Sequence, residues 1–295
     1  SFYYHSDNDL KKIKSEIDVK SADKVLELND FGKDKNNLYY FSNGKIEKIN
    51  LNIDVNSLVF LNNNSSSYSS YIKDKNNIYF VDNENRKVKI VKNADKSTFQ
   101  IVNGNYGVDR KNVYYNGEKL DSVGVEGLKI FDDYYLKDNK NVYYLGKQIR
   151  NISSEGFKFV GPDIFKNKNG VYFLKDKTGE GDYEIVPLNF DSASFDIANK
   201  DTSNYFKDKN GIYYLDYGKL LNSELKDVQN AFIKLEGADI PTFKAFGYGY
   251  SKDKNRVYCE YKEFKGVDVP SFTVVREDEG VVVKDKNRVY KNDCE

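Results

Sequence analysis

The sequence predicts an all-β tandem-repeat protein. The favoured form is a β-solenoid built of short hairpins, and an eight-bladed β-propeller-like ring is the competing arrangement. Three observations carry this. A core of the form D-K-N-x-(V/I/L)-Y recurs eight times with small variations, beginning at Asp34, Asp74, Asp109, Asp138, Asn167, Asp208, Asp253 and Asp285. The intervals of 40, 35, 29, 29, 41, 45 and 32 residues are those of stacked supersecondary units. Aromatic residues make up 15% of the 295, as 25 Tyr and 19 Phe, which suits pleated strands and excludes a disordered chain. Intervals this uneven fit an open stack better than a ring of equal blades.

Each unit reads as a sequence of short elements. It opens on a segment such as "ADKSTFQIV" (94–102), "ADIPTFKAF" (238–246) or "VDVPSFTVV" (267–275). Asp95, Asp239 and Asp268, followed by Ser or Pro, suit the cap of a single helical turn. Phe99, Phe243 and Phe272 then begin an alternating apolar run, the mark of a strand. An aromatic such as Tyr71, Phe206 or Tyr250 precedes the core. After the core, "YYNGEKL" (114–120) and "YYFSNGKI" (39–46) carry Asn-Gly, a strong hairpin signal. The connections are too short for helices except at 220–235, where Leu221, Leu225, Val228, Phe232 and Leu235 fall at helical spacing and predict an inserted helix. The cores at 34–40, 74–80, 109–115, 138–144, 167–173, 208–214, 253–259 and 285–291 run to the end of the chain without a composition break. Residues 1–295 are therefore expected to form a single array. The opening "SFYYH" resembles the Tyr strand of a unit cut before its turn.

The core itself predicts a hairpin loop. Its Asp takes the first place of a type I turn, with the carboxylate accepting from a backbone N–H two residues on. The fourth position should then be left-handed and form a bulge. Asn37, Asn77, Asn112, Asn141, Gly170 and Gly211 suit that conformation, whereas Arg256 and Arg288 should be strained there. D-x-N also begins like a calcium loop, whose ligands stand at positions 1, 3 and 5. The fifth residue here is aliphatic in every copy and no Glu closes the loop, so no metal or other cofactor is expected.

The residue after the aliphatic one is Tyr in all eight copies: Tyr39, Tyr79, Tyr114, Tyr143, Tyr172, Tyr213, Tyr258 and Tyr290. Its neighbour varies among Tyr, Phe, Cys259 and Lys291. Alternation puts the aliphatic residue and the varied neighbour on one face and the strict Tyr on the other. Strictness for the phenol implies a hydrogen bond, since a ring needed only for packing would drift to Phe. A backbone acceptor in the neighbouring unit is the expected partner, and a ligand-facing ladder of tyrosines is the alternative.

Repeats of the form K-D-K-N-x-V-Y-Y followed by N-G-K, with A-D-x-x-T-F between them, resemble the DKNYY family of bacterial repeat proteins over essentially the whole chain. The copy at Asn167 departs at its first residue, and "DRKN" and "DNKN" displace the Lys. The resemblance implies a bacterial origin, frequent export or surface association, and no established enzymatic role. No catalytic residue carries over from it.

Composition bounds function further. Lys+Arg and Asp+Glu are both 46, so no net field favours nucleic acid or an anionic membrane. No apolar run approaches the length of a membrane span. The chain starts at Ser1 and holds no Met, which predicts a trimmed product whose leader is gone. His5 is the one histidine, so a Ser-His-Asp or Cys-His arrangement has little to work with. The acidic pair at 132–133 reads as a solvated loop, and "GEGD" (179–182) lacks the Lys and helix of a phosphate loop. Cys259 and Cys294 follow Asp253 and Asp285 by six and nine residues, so adjacent strands could bring them into a disulfide that fastens the C-terminal end. The expected function is a non-enzymatic surface or exported binding module for a protein or glycan, monomeric and without nucleic acid. An immunity-type protein that neutralises a bacterial toxin is the alternative, and a hydrolase comes third.

Overall fold

The computed structural model describes residues 23–24, 31–42, 45–61, 69–102, 105–131, 133–178, 181–199, 202–277 and 280–290. "SFYYH", His5, Asn43-Gly44, Asp132 and Cys294 lie outside them. The fold is all-β, a tandem repeat of small antiparallel sheets. The chain divides into two compact units, Ser1–Arg150 and Asn151–Glu295. Among the described residues, each of the first seven repeats forms a four-stranded sheet in chain order, and the eighth forms a three-stranded one. The third repeat is typical, with strands Gln100–Ile101, Tyr106–Val108, Val113–Tyr115 and Glu118–Lys119. Each of these strands is only two or three residues long; the fourth repeat keeps four strands but lengthens the last two to Asn141–Tyr144 and Lys147–Ser153.

Within each unit, successive sheets share their cores, so a few residues per strand suffice to fill the space between them. In the first unit, Ile72, Tyr79 and Val81 of the second repeat pack with Phe31, Leu38 and Tyr40 of the first. From the same strand, Ile78 and Phe80 point the other way, onto Tyr114 of the third repeat. Tyr143 of the fourth repeat likewise meets Tyr106 and Val113 of the third. In the second unit, Tyr258 of the seventh repeat packs with Tyr205 and Ile212 of the sixth, while Val257 and Cys259 face Val283 of the eighth. The period-two alternation of the sequence becomes an alternation between preceding and following neighbour.

Polar bonds accompany this packing, and they come from a residue the motif does not advertise. Tyr71, three residues before Asp74, donates its hydroxyl to the Asn105 carbonyl of the next repeat (2.9 Å) and accepts from the Gly117 N–H (3.2 Å). Tyr106 donates to the Tyr134 carbonyl (3.2 Å), and Tyr205 to the Gly249 carbonyl (2.5 Å). Each acceptor stands four residues before the Asp of its own repeat. The bond into the neighbouring unit expected of the strict Tyr is thus made by the tyrosine of the preceding strand. The Asn116-Gly117 hairpin turn forms as its sequence predicts, with φ of 48° and 76°. Gly117 is required for space as well, since a Cβ there would meet Phe80 Cβ at 2.5 Å.

Two expectations need correction. The residue after D-K-N is not left-handed: among the eight positions, none of the Asn, Gly or Arg residues has a positive φ. The reason is that the Asp carboxylate, not a bulged strand, takes the N–H of the fourth residue. Arg256 and Arg288 are therefore unstrained. The helix expected over 220–235 is instead a short α-helix, Tyr217–Asn222, and a turn of 3-10 helix, Leu225–Ala231. Ser223 in extended conformation ends the first. Phe232–Lys234 is drawn into the sheet as its fourth strand, pairing with Tyr213–Leu215. Leu221 is consequently 78% exposed rather than buried.

Candidate functional site

The feature that recurs is a clasp around the first Asp of each core, buried in every described copy. In the third repeat, Asp109 Oδ1 accepts from the N–H groups of Lys111 and Asn112, both at 2.8 Å. Oδ2 accepts from the Tyr114 hydroxyl (2.8 Å) and from the Asp95 N–H (3.0 Å). One carboxylate thus closes its own turn, holds the Tyr five residues on, and pins the one-turn cap that leads into the repeat. The cap N–H is supplied equally by Asp54 to Asp74, Gly124 to Asp138, Asp191 to Asp208, Asp239 to Asp253 and Asp268 to Asp285.

The strict tyrosines take their places in this clasp. The hydroxyls of Tyr39, Tyr79, Tyr143, Tyr258 and Tyr290 reach Oδ2 of their Asp at 2.8, 2.9, 3.0, 3.0 and 2.5 Å, and Tyr213 reaches Oδ1 at 3.1 Å. Several also approach a carbonyl of the linker two residues before the cap, Tyr143 to Ser122 at 2.6 Å and Tyr114 to Asn93 at 3.1 Å. Asn37, Asn77 and Asn141 each donate Nδ2 to the phenol oxygen at 3.2 Å, which is what Asn contributes at the fourth position.

The second letter of the motif has a partner too. Lys75, Lys209, Lys254 and Lys286 pair with the cap residues Asp54, Asp191, Asp239 and Asp268 at 2.5 to 2.9 Å. Their backbone N–H groups donate to Ser57, Ser194, Thr242 and Ser271 hydroxyls in the same caps. Where the cap is Gly124, the second letter is Asn139 and neither charge is present. Sequence reasoning missed one further clasp residue, the Lys before the Asp. Lys33 donates to the Val55 carbonyl, Lys166 to that of Phe195, and Lys252 to those of Val269, Pro270 and Phe272, all in the cap of the following repeat. The signal was there, since a Lys precedes the core in seven of eight copies.

The fifth repeat reverses the polarity. Asn167 Oδ1 still accepts from Asn169 and Gly170 N–H at 2.8 and 3.2 Å. Its Nδ2, in place of the second carboxylate oxygen, donates to the Ser153 carbonyl of the cap at 3.1 Å. Tyr172 makes no bond to it and stacks on Phe165 with ring centres 5.7 Å apart.

The clasp also shifts titrations. Burial raises the Asp109 pKa, but the N–H groups of Asp95 and Lys111, the Tyr114 hydroxyl and the Asn112 amide outweigh it and hold the carboxyl at about 2. Asp74, Asp138 and Asp253 are lowered in the same balance of burial against donated bonds. Burial first, and the adjacent carboxylate after it, pushes Tyr79, Tyr143, Tyr213 and Tyr258 up to about 12.

No group of three or more metal-ligating side chains that could hold an ion occurs among the described residues, and the clasp carboxylates are filled by protein donors. Gly181-Asp182 lead into a strand, Tyr183–Leu188, not a helix. Cys259 is buried on the face toward the eighth repeat and is not a free thiol, while its expected partner Cys294 lies outside the described residues. At the opposite end of the sheets, away from the clasps, stand the loops between strands one and two and between strands three and four. They differ from repeat to repeat: Asn116-Gly117, Leu145-Gly146, Lys177–Asp182, the helical insert 216–231, and Tyr248-Gly249 beside Glu260-Tyr261. Tyr134 and Tyr248, the tyrosines among the strongly exposed large side chains at 52% and 54%, both belong to this end.

Three outcomes follow from the clasp. Tyr143→Phe removes the donor to Asp138 and Ser122 and should cost about 1–3 kcal/mol in urea unfolding; a change within roughly 0.5 kcal/mol, as at ordinary surface sites, would refute the role given to the phenol. Asn167→Asp sets a carboxylate oxygen against the Ser153 carbonyl and should destabilise at neutral pH by about 1–3 kcal/mol. That difference should shrink below about pH 4, where a protonated carboxyl can donate again; a pH-independent difference would count against the reversed polarity. The clasp carboxylates, depressed in the fold, contribute stability that is complete above about pH 4 and lost as pH falls through about 2. The phenols, raised in the fold, contribute stability that is complete below about pH 10 and lost as pH rises through about 12. Thermal melts should therefore show a plateau between these limits with a fall on both sides, and a fall beginning near neutrality would contradict the account.

No curated protein and no solved structure matches the chain. The family model for the DKNYY family matches residues 31–177 and 183–294, which takes in all eight clasps. The chain belongs to the DKNYY family.

Proposed function

We propose that the chain is a non-enzymatic binding module of a bacterial surface or exported protein, which recognises a protein or glycan through the loop end of its sheets. The observation that carries this is the contrast between the two ends. At one end the same acceptors and donors recur from repeat to repeat, and their side chains are consumed by the clasp. At the other, loops differ in length and chemistry and present Tyr134 and Tyr248 to solvent. Tyr supplies a large amphipathic contact at little entropic cost, which suits it to recognition. A repeat frame that fixes loop positions while leaving loop sequence open fits the same use. The absence of a free thiol at Cys259 supports an oxidising compartment, and thus export rather than an immunity protein kept in the cytosol. No helix among the described residues is long and apolar enough to cross a membrane.

The test is a screen of the full chain on a glycan array and on a panel of purified bacterial surface proteins, repeated with Tyr134→Ser/Tyr248→Ser. Binding by the natural chain that weakens in the double variant, with an unchanged melting temperature, is expected. Binding unaffected there but abolished by Asn76→Arg and Asn210→Arg, at the clasp end, would overturn the assignment.

A further inference from the structure

The seventh repeat presents two turns side by side. Tyr248-Gly249 is closed by pairing of Gly247 with Tyr250, and Glu260-Tyr261 by pairing of Cys259 with Lys262. Tyr248 stands at φ 54° between Gly247 at 94° and Gly249 at 80°. A two-residue turn of this kind favours Asn, Asp or Gly at that place, so turn chemistry alone gives no reason for a tyrosine. The two turns are locked together: the Glu260 N–H donates to the Gly249 carbonyl at 2.5 Å. Tyr205, from the sixth repeat, sets its hydroxyl against both the Gly249 and the Glu260 carbonyls, at 2.5 and 2.8 Å. Tyr248 is thus more than half exposed on a backbone that is held in place.

Tyr261 is set between the sixth repeat's insert and its own turn. Its ring lies 6.0 Å from that of Tyr214, with Lys219 Nζ 5.5 Å and Lys262 Nζ 5.8 Å from the ring centre. Lys219 belongs to the α-helix Tyr217–Asn222, which among the described residues only the sixth repeat carries. Two carboxylates balance these ammonium groups. Asp216 lies 3.9 Å from Lys219, and Glu260 sits beside the Tyr214 phenol, whose pKa burial and then that carboxylate raise.

We propose that the turns Tyr248-Gly249 and Glu260-Tyr261, with Lys219 of the inserted helix, form a binding site for a neutral carbohydrate, a reading that rests on the binding role proposed above. A pyranose has an apolar C–H face and a rim of hydroxyls, so it needs an aromatic face with donors and acceptors around it. Tyr248 and Tyr261 supply the rings, Lys219 and Lys262 donate, and Glu260 and Asp216 accept. Two positive and two negative groups leave no field to attract a polyanion or a strongly basic peptide. The locked backbone lowers the entropic cost of ordering the site on binding.

Isothermal titration of the full chain with cellohexaose, chitohexaose and maltohexaose tests this. At least one should bind the natural chain, and Tyr248→Ala and Tyr261→Ala should each weaken it at least about tenfold. Val59→Ala, an exposed strand position in the other unit, should leave it unchanged. Should Tyr261→Ala lower the melting temperature, the exposed Tyr248→Ala decides alone. Saccharide binding that survives Tyr248→Ala overturns the site while sparing the binding role. Binding of none of the three, when the wider screen yields a protein partner, overturns the ligand class and again spares that role. Silence in both screens removes the binding role and this site with it.

Discussion

Everything in this fold hangs on a buried carboxylate that accepts four hydrogen bonds at once. Asp74 is 4% exposed and takes bonds from the N–H groups of Asn76, Asn77 and Asp54 and from the Tyr79 hydroxyl, at 2.7 to 2.9 Å. Burial of a carboxylate is costly unless it is fully hydrogen-bonded, and here the donors around it are strong enough to lower its pKa despite the burial. An amide could not replace it against these partners, because Asn accepts on one side only. Nor could Phe replace the Tyr, which is one of the four donors. Where Asp and Tyr stand together, in seven of the eight copies, the two letters therefore answer to one bond.

That carboxylate joins three pieces of chain that would otherwise be independent: the turn between strands two and three, the strand that follows, and the linker arriving from the previous sheet. Sheets with strands of two or three residues cannot stand alone, since an isolated hairpin of that size is marginal in water. Packing both faces on neighbours and tying each linker down at a fixed point lets them persist. A second consequence is a division of labour between the ends of each sheet. Residues at the clasp end answer to one another and cannot drift. Those at the loop end are held mainly through the backbone, as at the carbonyls of Asn105, Tyr134 and Gly249 to which the preceding repeat's tyrosine donates, with demands on the residue type at single places such as Gly117. A helix of six residues enters the sixth repeat there without disturbing the clasp at Asp208.

The strand order, the cap turns and the Asn-Gly hairpin were legible in the sequence because they rest on local signals: alternation, Asp before Ser or Pro, and the left-handed preference of Asn-Gly. The Asp as a turn acceptor was legible for the same reason. What was not legible was the second oxygen of that carboxylate, since its donors come from five residues ahead and 14 to 20 behind. Without it, a bulge was needed to explain the Asn at the fourth position, and the strict Tyr was assigned to a neighbour's backbone. The tyrosines that do reach the neighbour, Tyr71, Tyr106 and Tyr205, stand three residues before the core, where the sequence showed an aromatic such as Tyr71 but nothing that pointed to its hydroxyl. The helical spacing of 220–235 misled because Phe232 and Leu235 answer to the sheet edge rather than to a helix face.

The copies that break the motif show that complementarity, and not identity, is what the fold requires. Where Asn replaces Asp at 167, the amide turns its donor to a cap carbonyl, and Tyr172 leaves the clasp for a stack on Phe165. Where the cap has no carboxylate, at Gly124, the Lys opposite is also gone, and Asn139 bonds through its backbone to the Glu126 carbonyl instead. Where the fourth residue is Arg, at 256, the guanidinium takes the Glu236 carbonyl. Each departure is matched by a change in what faces it, so a substitution at one position of a clasp should be judged by the polarity of its partner and not by its agreement with the other seven copies.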